Sequence, residues 1–241
     1  MKYKFSLDKG HFITGVYMIK QLIINADDYG MCESVTQGIL KGLHDGVLTS
    51  TTAFMNSPTI AQDLILLKHT SYGLGVHLNV TFGKPLTKGH SFINSEGFFK
   101  KPKDYGEKII IDAEELKAEW QAQIEKFIAL THHLPDHIDS HHNIHLLYPE
   151  VFDALAKQYH LPARSITYPC VHFTADKAQL DMFRQILNSY DGTLEIMTHP
   201  GYCDETLKQL SSLNQERETE LAFWCQREVK EALKNINLTT F

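Results

Sequence analysis

The chain has only four cysteines in 241 residues, Cys32, Cys170, Cys203 and Cys225, and none of them forms a Cys-x-x-Cys pair. That excludes a zinc ribbon and a thioredoxin-type redox motif, and the scatter reads as separate thiols in a reducing compartment. No run approaches the ~18 apolar residues that a membrane span needs. There is no Lys/Arg block either: 23 basic residues against 29 acidic ones leave a net charge of −6. A surface of that sign is a poor ligand for nucleic acid or an anionic membrane, so neither is expected as a partner. Residues Phe12–Ile19 are mildly apolar, but Thr14 and Gly15 interrupt them and no small-residue cleavage site follows. No signal peptide is expected, and the balance suits a cytoplasmic enzyme. Internal repeats, low-complexity tracts and Pro/Gly/Ser-rich linkers are absent. The simplest division is one domain over 18–241, with 1–17 an appendage of unassigned role.

Strand and helix signals alternate along the rest. Gln21–Asn25 is a short apolar run bounded by polar residues, and so a buried strand. Glu33–His44 places Val35, Ile39, Leu40 and Leu43 on one helical face, with Gly46 as a stop. Strands are expected over Thr51–Met55, Leu74–Val80, Pro135–Ser140, Ser165–Tyr168, Leu194–Thr198 and Ile236–Phe241. Helices are expected over Ile60–Lys68, from Asp112, from Pro149 to Gln158, over Ala175–Asn188, and over Gln215–Lys234 with one break. Asp112 and Glu115 have capping-box spacing. Such alternation predicts parallel strands covered by helices: an α/β fold, with six or seven units favouring a (β/α) barrel over an open sheet. Thr81 to Lys108 is a long irregular stretch, and a loop of that length is usually functional or disordered.

The 14 histidines are numerous for this length, but their positions matter more. Asp27 and Asp28 follow the first strand, and His77 lies in or at the end of Leu74–Val80. Asp139, His141 and His142 follow Pro135–Ser140, and His199 follows Leu194–Thr198. In parallel α/β folds the C-terminal strand ends form the active-site face. Two imidazoles and a carboxylate with open positions form the ligand set of a catalytic divalent ion.

Each of these signals also has an ordinary structural reading. Asp27 and Asp28 are an acid pair before a helix, where Asp28 could cap it; alternatively a bend near Gly30 lets one bind metal while the other acts as a base. His77 in an apolar strand could be a hydrogen-bonded core histidine, and His199 before Pro200-Gly201 could simply end a strand. The run from His137 to His145 could be a polar surface loop, although the i, i+2 spacing of His137, Asp139 and His141 gives them one face if the strand continues. Cys203, four residues after His199, lacks a nucleophile-elbow pattern and reads as an inert thiol. Phe82, Phe92, Phe98, Phe99 and Tyr105 could stack on sugar rings, but packing of the loop is their default role.

Six motifs in order carry a resemblance: Asn25-Ala-Asp-Asp-Tyr-Gly30, Leu48-Thr-Ser-Thr-Thr52, Gly75-Val-His77, Gly83-Lys-Pro-Leu86, His137-Ile-Asp-Ser-His-His142 with His145, and Leu194-Glu-Ile-Met-Thr-His-Pro-Gly201. From about Lys20 onward the chain resembles the YdjC-like (ChbG-type) carbohydrate deacetylases. The resemblance implies a single-domain distorted TIM-type barrel that removes the acetyl group of an N-acetylated sugar, with chitin disaccharide as the best-known substrate. It implies metal ligands at Asp28, His77 and His141. By similarity to the wider polysaccharide deacetylases, Asp27 is the implied general base and His199 the general acid. Arg164 is implied to orient the base. Asp139, His142 and His145 are candidates to support the ligands, and a homodimer is suggested.

Ligand softness favours Zn²⁺ or another transition metal, while family descriptions often give Mg²⁺. Tyr29 stands where the family often has Phe, Asn143 where it usually has a third His, and Thr198 where it often has Cys. Two rival readings are a metal-dependent phosphoesterase, for which only Arg164 is an obvious phosphate partner, and a non-catalytic sugar- or metal-binding relative.

Overall fold

An apolar strand covered on both faces belongs at the centre of a parallel sheet. In the computed structural model, which describes residues 19–68 and 70–241, the first strand takes that place. The appendage expected over 1–17 lies outside the described residues. In chain order the elements are β1 (Ile19–Tyr29), α1 (Glu33–Asp45), β2 (Ser50–Ala53), α2 (Ile60–Ile65), β3 (Gly73–Leu78), α3 (Ala113–Thr131), β4 (Ile138–Ser140) and α4 (Pro149–Tyr159). There follow β5 (Cys170–His172), α5 (Leu180–Leu187), β6 (Gly192–Thr198), α6 (Glu205–Leu210), α7 (Gln215–Trp224), α8 (Arg227–Ala232) and β7 (Asn237–Leu238). The strands form one seven-stranded sheet in the order β4-β3-β2-β1-β6-β5, with β7 also on β1. All the pairings between these strands are parallel. A single parallel bridge from Ile138 to Ala163 extends the wall past β4. The sheet curls into a half-barrel with helices outside, the α/β barrel-type single domain expected.

Side chains alternate along each strand, so register decides what fills the barrel. Asn25 lies opposite Ser50, Thr52 opposite Gly75, and His77 opposite Asp139. The interior is therefore polar: Ser50 Oγ donates to Asn25 Oδ1 at 2.8 Å, and Thr52 Oγ1 to Asp139 Oδ2 at 2.9 Å. Gly75 makes room here, since a Cβ on it would stand 2.7 Å from the His137 ring. His137 thus lies below the polar cluster and stacks on Phe241 with centroids 3.9 Å apart. Outside, Trp120, Phe127, Phe152, Phe183, Phe223 and Trp224 are buried beneath the helices.

Several boundaries differ from expectation. Ser165–Tyr168 is a turn and the strand is Cys170–His172. Ser165 takes φ 62, Ile166 N and Thr167 N both donate to Ala163 O, and Thr167 Oγ1 accepts from Ala163 N. These local bonds outweigh the extended preference of the Ile-Thr-Tyr run. The segment 175–188 is a 3-10 turn, Ala175–Lys177, followed by the shorter α5. The last strand shrinks to Asn237–Leu238, and α6 carries no signal that the periodicity revealed.

The long stretch after β3 is tied down by α3. Asp112 caps that helix by accepting from Glu114 N and Glu115 N. Glu115 does not complete the capping box but accepts from His90 N, Ser91 N and Ser91 Oγ at 2.6–2.9 Å. One turn on, buried Glu119 accepts from Leu86 N, Thr87 N and Thr87 Oγ1 at 2.6–3.1 Å. A further turn on, Gln123 accepts from Asn79 N and donates to Asn79 O. Irregular backbone must place its N–H groups somewhere, and here two carboxylates and one amide of α3 receive them. Replacing Glu119 with Ala takes the acceptor from four donors, Leu86 N, Thr87 N, Thr87 Oγ1 and Gln123 Nε2, so Glu119→Ala is expected to cost about 2–4 kcal/mol, read as a lower denaturant midpoint.

Candidate metal centre and its cavity

Two consecutive residues of a regular strand point to opposite faces. Asp27 and Asp28 both reach the barrel mouth because β1 is not regular there. Asp28 has φ 76, Gly30 has φ 83, and the β1–β2 register slips between Ala26 and Tyr29. The bend expected at Gly30 begins at Asp28 itself. Asp28 does not cap α1, whose N-cap is Cys32.

Asp28 Oδ1 lies 3.2 Å from His77 Nε2 and 3.1 Å from His141 Nδ1, and the two ring nitrogens are 3.2 Å apart. All three residues are buried, and Oδ1 has no hydrogen-bond partner among the described residues. Bonds of about 2.1 Å at tetrahedral or octahedral angles separate neighbouring ligand atoms by about 3.0–3.4 Å. The donor set and its spacing therefore fit one divalent ion. His77 Nδ1 donates to Asp139 Oδ1 at 2.7 Å, which orients the ring so that Nε2 faces the cluster. Burial opposes charge on His77, but Asp139, Asp28 and Asp27 outweigh it and raise its pKa to about 10. A buried imidazole drawn that strongly toward a cation stands where carboxylates need positive charge.

Arg164 lies just beyond the Ala163 bridge, and its guanidinium meets three carboxylates. Nη1 and Nη2 donate to the two oxygens of Asp27 at 2.6 and 2.7 Å, Nη2 lies 2.9 Å from Asp139 Oδ2, and Nε donates to Glu195 Oε1 at 2.7 Å. Burial alone would raise the Asp27 pKa, yet Arg164 holds it well below the usual carboxylate range. Glu195 has only the Nε contact, and burial prevails there, raising its pKa to about 7.

His199 Nε2 is 4.0 Å from Asp27 Oδ2, on the same cavity. Burial lowers its pKa to about 4, with Asp28 and Asp27 opposing. Its backbone N–H donates to Glu220 Oε2 at 2.7 Å, as does Thr198 Oγ1 at 2.6 Å, and Trp224 Nε1 donates to Thr198 Oγ1. The cavity of about 450 Å³ is lined by Asp27, Asp28, His77, His141, His199 and Arg217 among others.

The remaining histidines divide. His142 pairs with Thr81 Oγ1 and lies against the His141 ring at 3.9 Å. His145 pairs with Ser140 Oγ and packs on Phe152, so it supports the turn after β4 and touches none of the three clustered residues. His137 shares their strand face but lies one layer lower. Sequence reasoning missed Arg217, which donates from Nη2 to Asp28 Oδ2 at 2.6 Å, and Glu220. Both fall in a charged stretch that reads as a solvated helix face, and the only available hint was an Arg within an otherwise acidic turn.

The fold and site define a class: a parallel half-barrel with an Asp-His-His cluster at its strand ends, beside a buried acid and a histidine. The YdjC-like protein family model matches residues 21–235, and the chain belongs to that family. It is 37% identical over 224 residues to a carbohydrate deacetylase of Oceanobacillus iheyensis, covering 86% of this chain and 97% of that protein. It is 33% identical to a chitooligosaccharide deacetylase of Yersinia pestis, covering 90% and 95%. Among solved structures, an Enterococcus faecalis protein labelled for cellobiose-phosphate cleavage matches with a TM-score of 0.81 and 31% identity, over 92% of this chain and 97% of that one. A Streptococcus mutans CE4 esterase matches with a TM-score of 0.56 at 11% identity, over 91% and 85%, and shares the fold. Among the described residues no helix is long and apolar enough to cross a membrane.

Glu195 gives a pH test. Its folded pKa lies above the usual 4.5, so the folded chain keeps a proton that the unfolded chain releases. Stability present below about pH 4.5 is then lost as pH rises through about 7. Glu195→Gln cannot ionise, so its stability relative to wild type is expected to improve by on the order of 2 kcal/mol between pH 4.5 and 7.5. Melting curves across that range check the sign.

Proposed function

We propose that the protein is a metal-dependent hydrolase that removes the N-acetyl group of a small acetylated sugar and releases acetate. The observation that carries this reading is the meeting of Asp28 Oδ1, His77 Nε2 and His141 Nδ1 within 3.2 Å beside Asp27 and His199. Asp28, His77 and His141 hold the ion. When bound, it supplies Lewis acidity toward the acetamide oxygen and makes a water more acidic. Its two imidazole ligands favour Zn²⁺ or another transition metal, and Mg²⁺ is the hard alternative.

The chain's own residues then manage a single proton. Asp27 stays anionic because Arg164 grips both its oxygens, and its Oδ2 faces the cavity as the first proton acceptor. His199 is neutral near pH 7 because burial holds its pKa near 4, so its Nε2 can receive the proton and deliver it to the departing nitrogen. Water thus gives its proton to Asp27, Asp27 yields it to His199 Nε2 across the same cavity, and His199 passes it to the amine as the C–N bond breaks; the products are acetate and the amino sugar. Arg164 keeps Asp27 turned toward the cavity by holding Asp139 and Glu195 with the same guanidinium. A phosphoesterase would need several cations around the cluster that are free for phosphate, whereas Arg164 gives all three of its nitrogens to carboxylates and Arg217 keeps only Nη1 without a partner among the described residues.

Asp28→Asn and His141→Ala are expected to lose bound metal and activity together. Asp27→Asn should keep the metal and lose turnover by about 10²–10⁴-fold. The checks are elemental analysis and acetate release from a panel of N-acetylated mono- and disaccharides. Full activity in a metal-free Asp28→Asn protein would end the proposal, and phosphate release from phosphomonoesters without acetate release would favour the rival hydrolase.

A further inference from the structure

Asp28 has two oxygens, and the cluster uses only one. Oδ2 accepts from Arg217 Nη2 at 2.6 Å, between two side chains that are 1–2% exposed. Arg217 does not depend on Asp28 for its placement. Its Nε donates to Leu213 O at 3.1 Å, and its own carbonyl accepts from Gly201 N. Gly201 in turn packs so closely on α1 that a Cβ on Gly38 would stand 2.5 Å from it. The Nε contact holds the guanidinium and the Gly201 contact anchors the backbone that carries it, both independently of the carboxylate, and the residue lines the cavity with Nη1 unpartnered among the described residues.

A carboxylate beside a divalent ion binds through one oxygen or through both, and the second mode fills one more coordination position. Closing onto Oδ2 here would break a buried charge-assisted hydrogen bond to a residue whose Nε is already given to Leu213 O. We propose that Arg217 is a positioning residue that reserves Asp28 Oδ2, so that Asp28 offers the ion Oδ1 alone and a position stays open for water and substrate. This rests on the metal-dependent reading of the site. The cation also weakens the hold of its carboxylate on a second cation, so the arrangement sacrifices metal affinity for an open site. A merely structural Arg217 has the opposite signature, because loosening the cluster weakens metal binding.

The sign of the affinity change tests this. Mn²⁺ is titrated calorimetrically into metal-stripped wild type, Arg217→Met, Arg217→Gln, Arg217→Lys and Asp28→Asn, with thermal melts to establish folding. Arg217→Met and Arg217→Gln are expected to bind Mn²⁺ about five- to tenfold more tightly than wild type, with kcat for acetate release down about tenfold or more. Arg217→Lys retains the charge and should stay within about threefold of wild type in Mn²⁺ affinity. Unchanged or weaker Mn²⁺ binding in the folded Met and Gln variants overturns the proposal. If Arg217→Met does not fold, the milder Gln variant decides. Wild type that binds no Mn²⁺, or Asp28→Asn that binds it like wild type, overturns the metal reading itself, a result distinct from any difference among the Arg217 variants.

Discussion

Asp28 occupies the left-handed region, with φ 76, at the mouth of the barrel. A non-glycine residue there costs about 1–2 kcal/mol, which a strand end does not spend without reason. The bend brings Asp27 and Asp28 into one cavity, which regular β geometry forbids to neighbours. Each carboxylate then needs a cation, and each meets a different buried arginine: Arg164 from beyond β4 and Arg217 from α7. The two acids are held about one cavity but by opposite walls, and that separation lets them take different roles.

Helices do more than cover this sheet. α7 carries Arg217 against Asp28 and, one turn later, Glu220 against the backbone of His199, so one helix face sets both the ligand carboxylate and the histidine opposite it. α3 does the same for the long loop through Glu115, Glu119 and Gln123. In both cases a charged side chain is buried because it accepts or donates several bonds at once, the condition under which burial of charge is tolerated. Burial still prevails at two acids of this site: the pKa of Glu195, whose Oε2 has no partner among the described residues, and that of Glu220 are both raised to about 7.

The family and the fold were legible in the linear order of residues. Apolar runs at β1, β3 and β6 and the amphipathic stripe of α3 mark buried strands and a covering helix by periodicity alone. Asp27, Asp28, His77, His141 and His199 stood out because strand ends in parallel folds converge. Local turn chemistry was harder: Ser165–Tyr168 has strand-like residues, yet one Thr hydroxyl and two N–H groups closing on Ala163 make it a turn. Arg217 and Glu220 were illegible because a buried charged residue and an exposed one have the same letter, and only the neighbour across space distinguishes them.

By itself the sequence determined that strands and helices alternate, where β1, β2, β3, β4 and β6 fall, and which polar side chains stand at their ends. These follow from hydrophobic spacing, which is a property of near neighbours along the chain. Tertiary structure alone decided that Asp28 bends, that it offers Oδ1 to His77 and His141 while Arg217 holds Oδ2, that His137 drops beneath the cluster, and that His145 turns away toward Phe152. Those choices depend on distances between residues up to 189 positions apart, and no local preference encodes them.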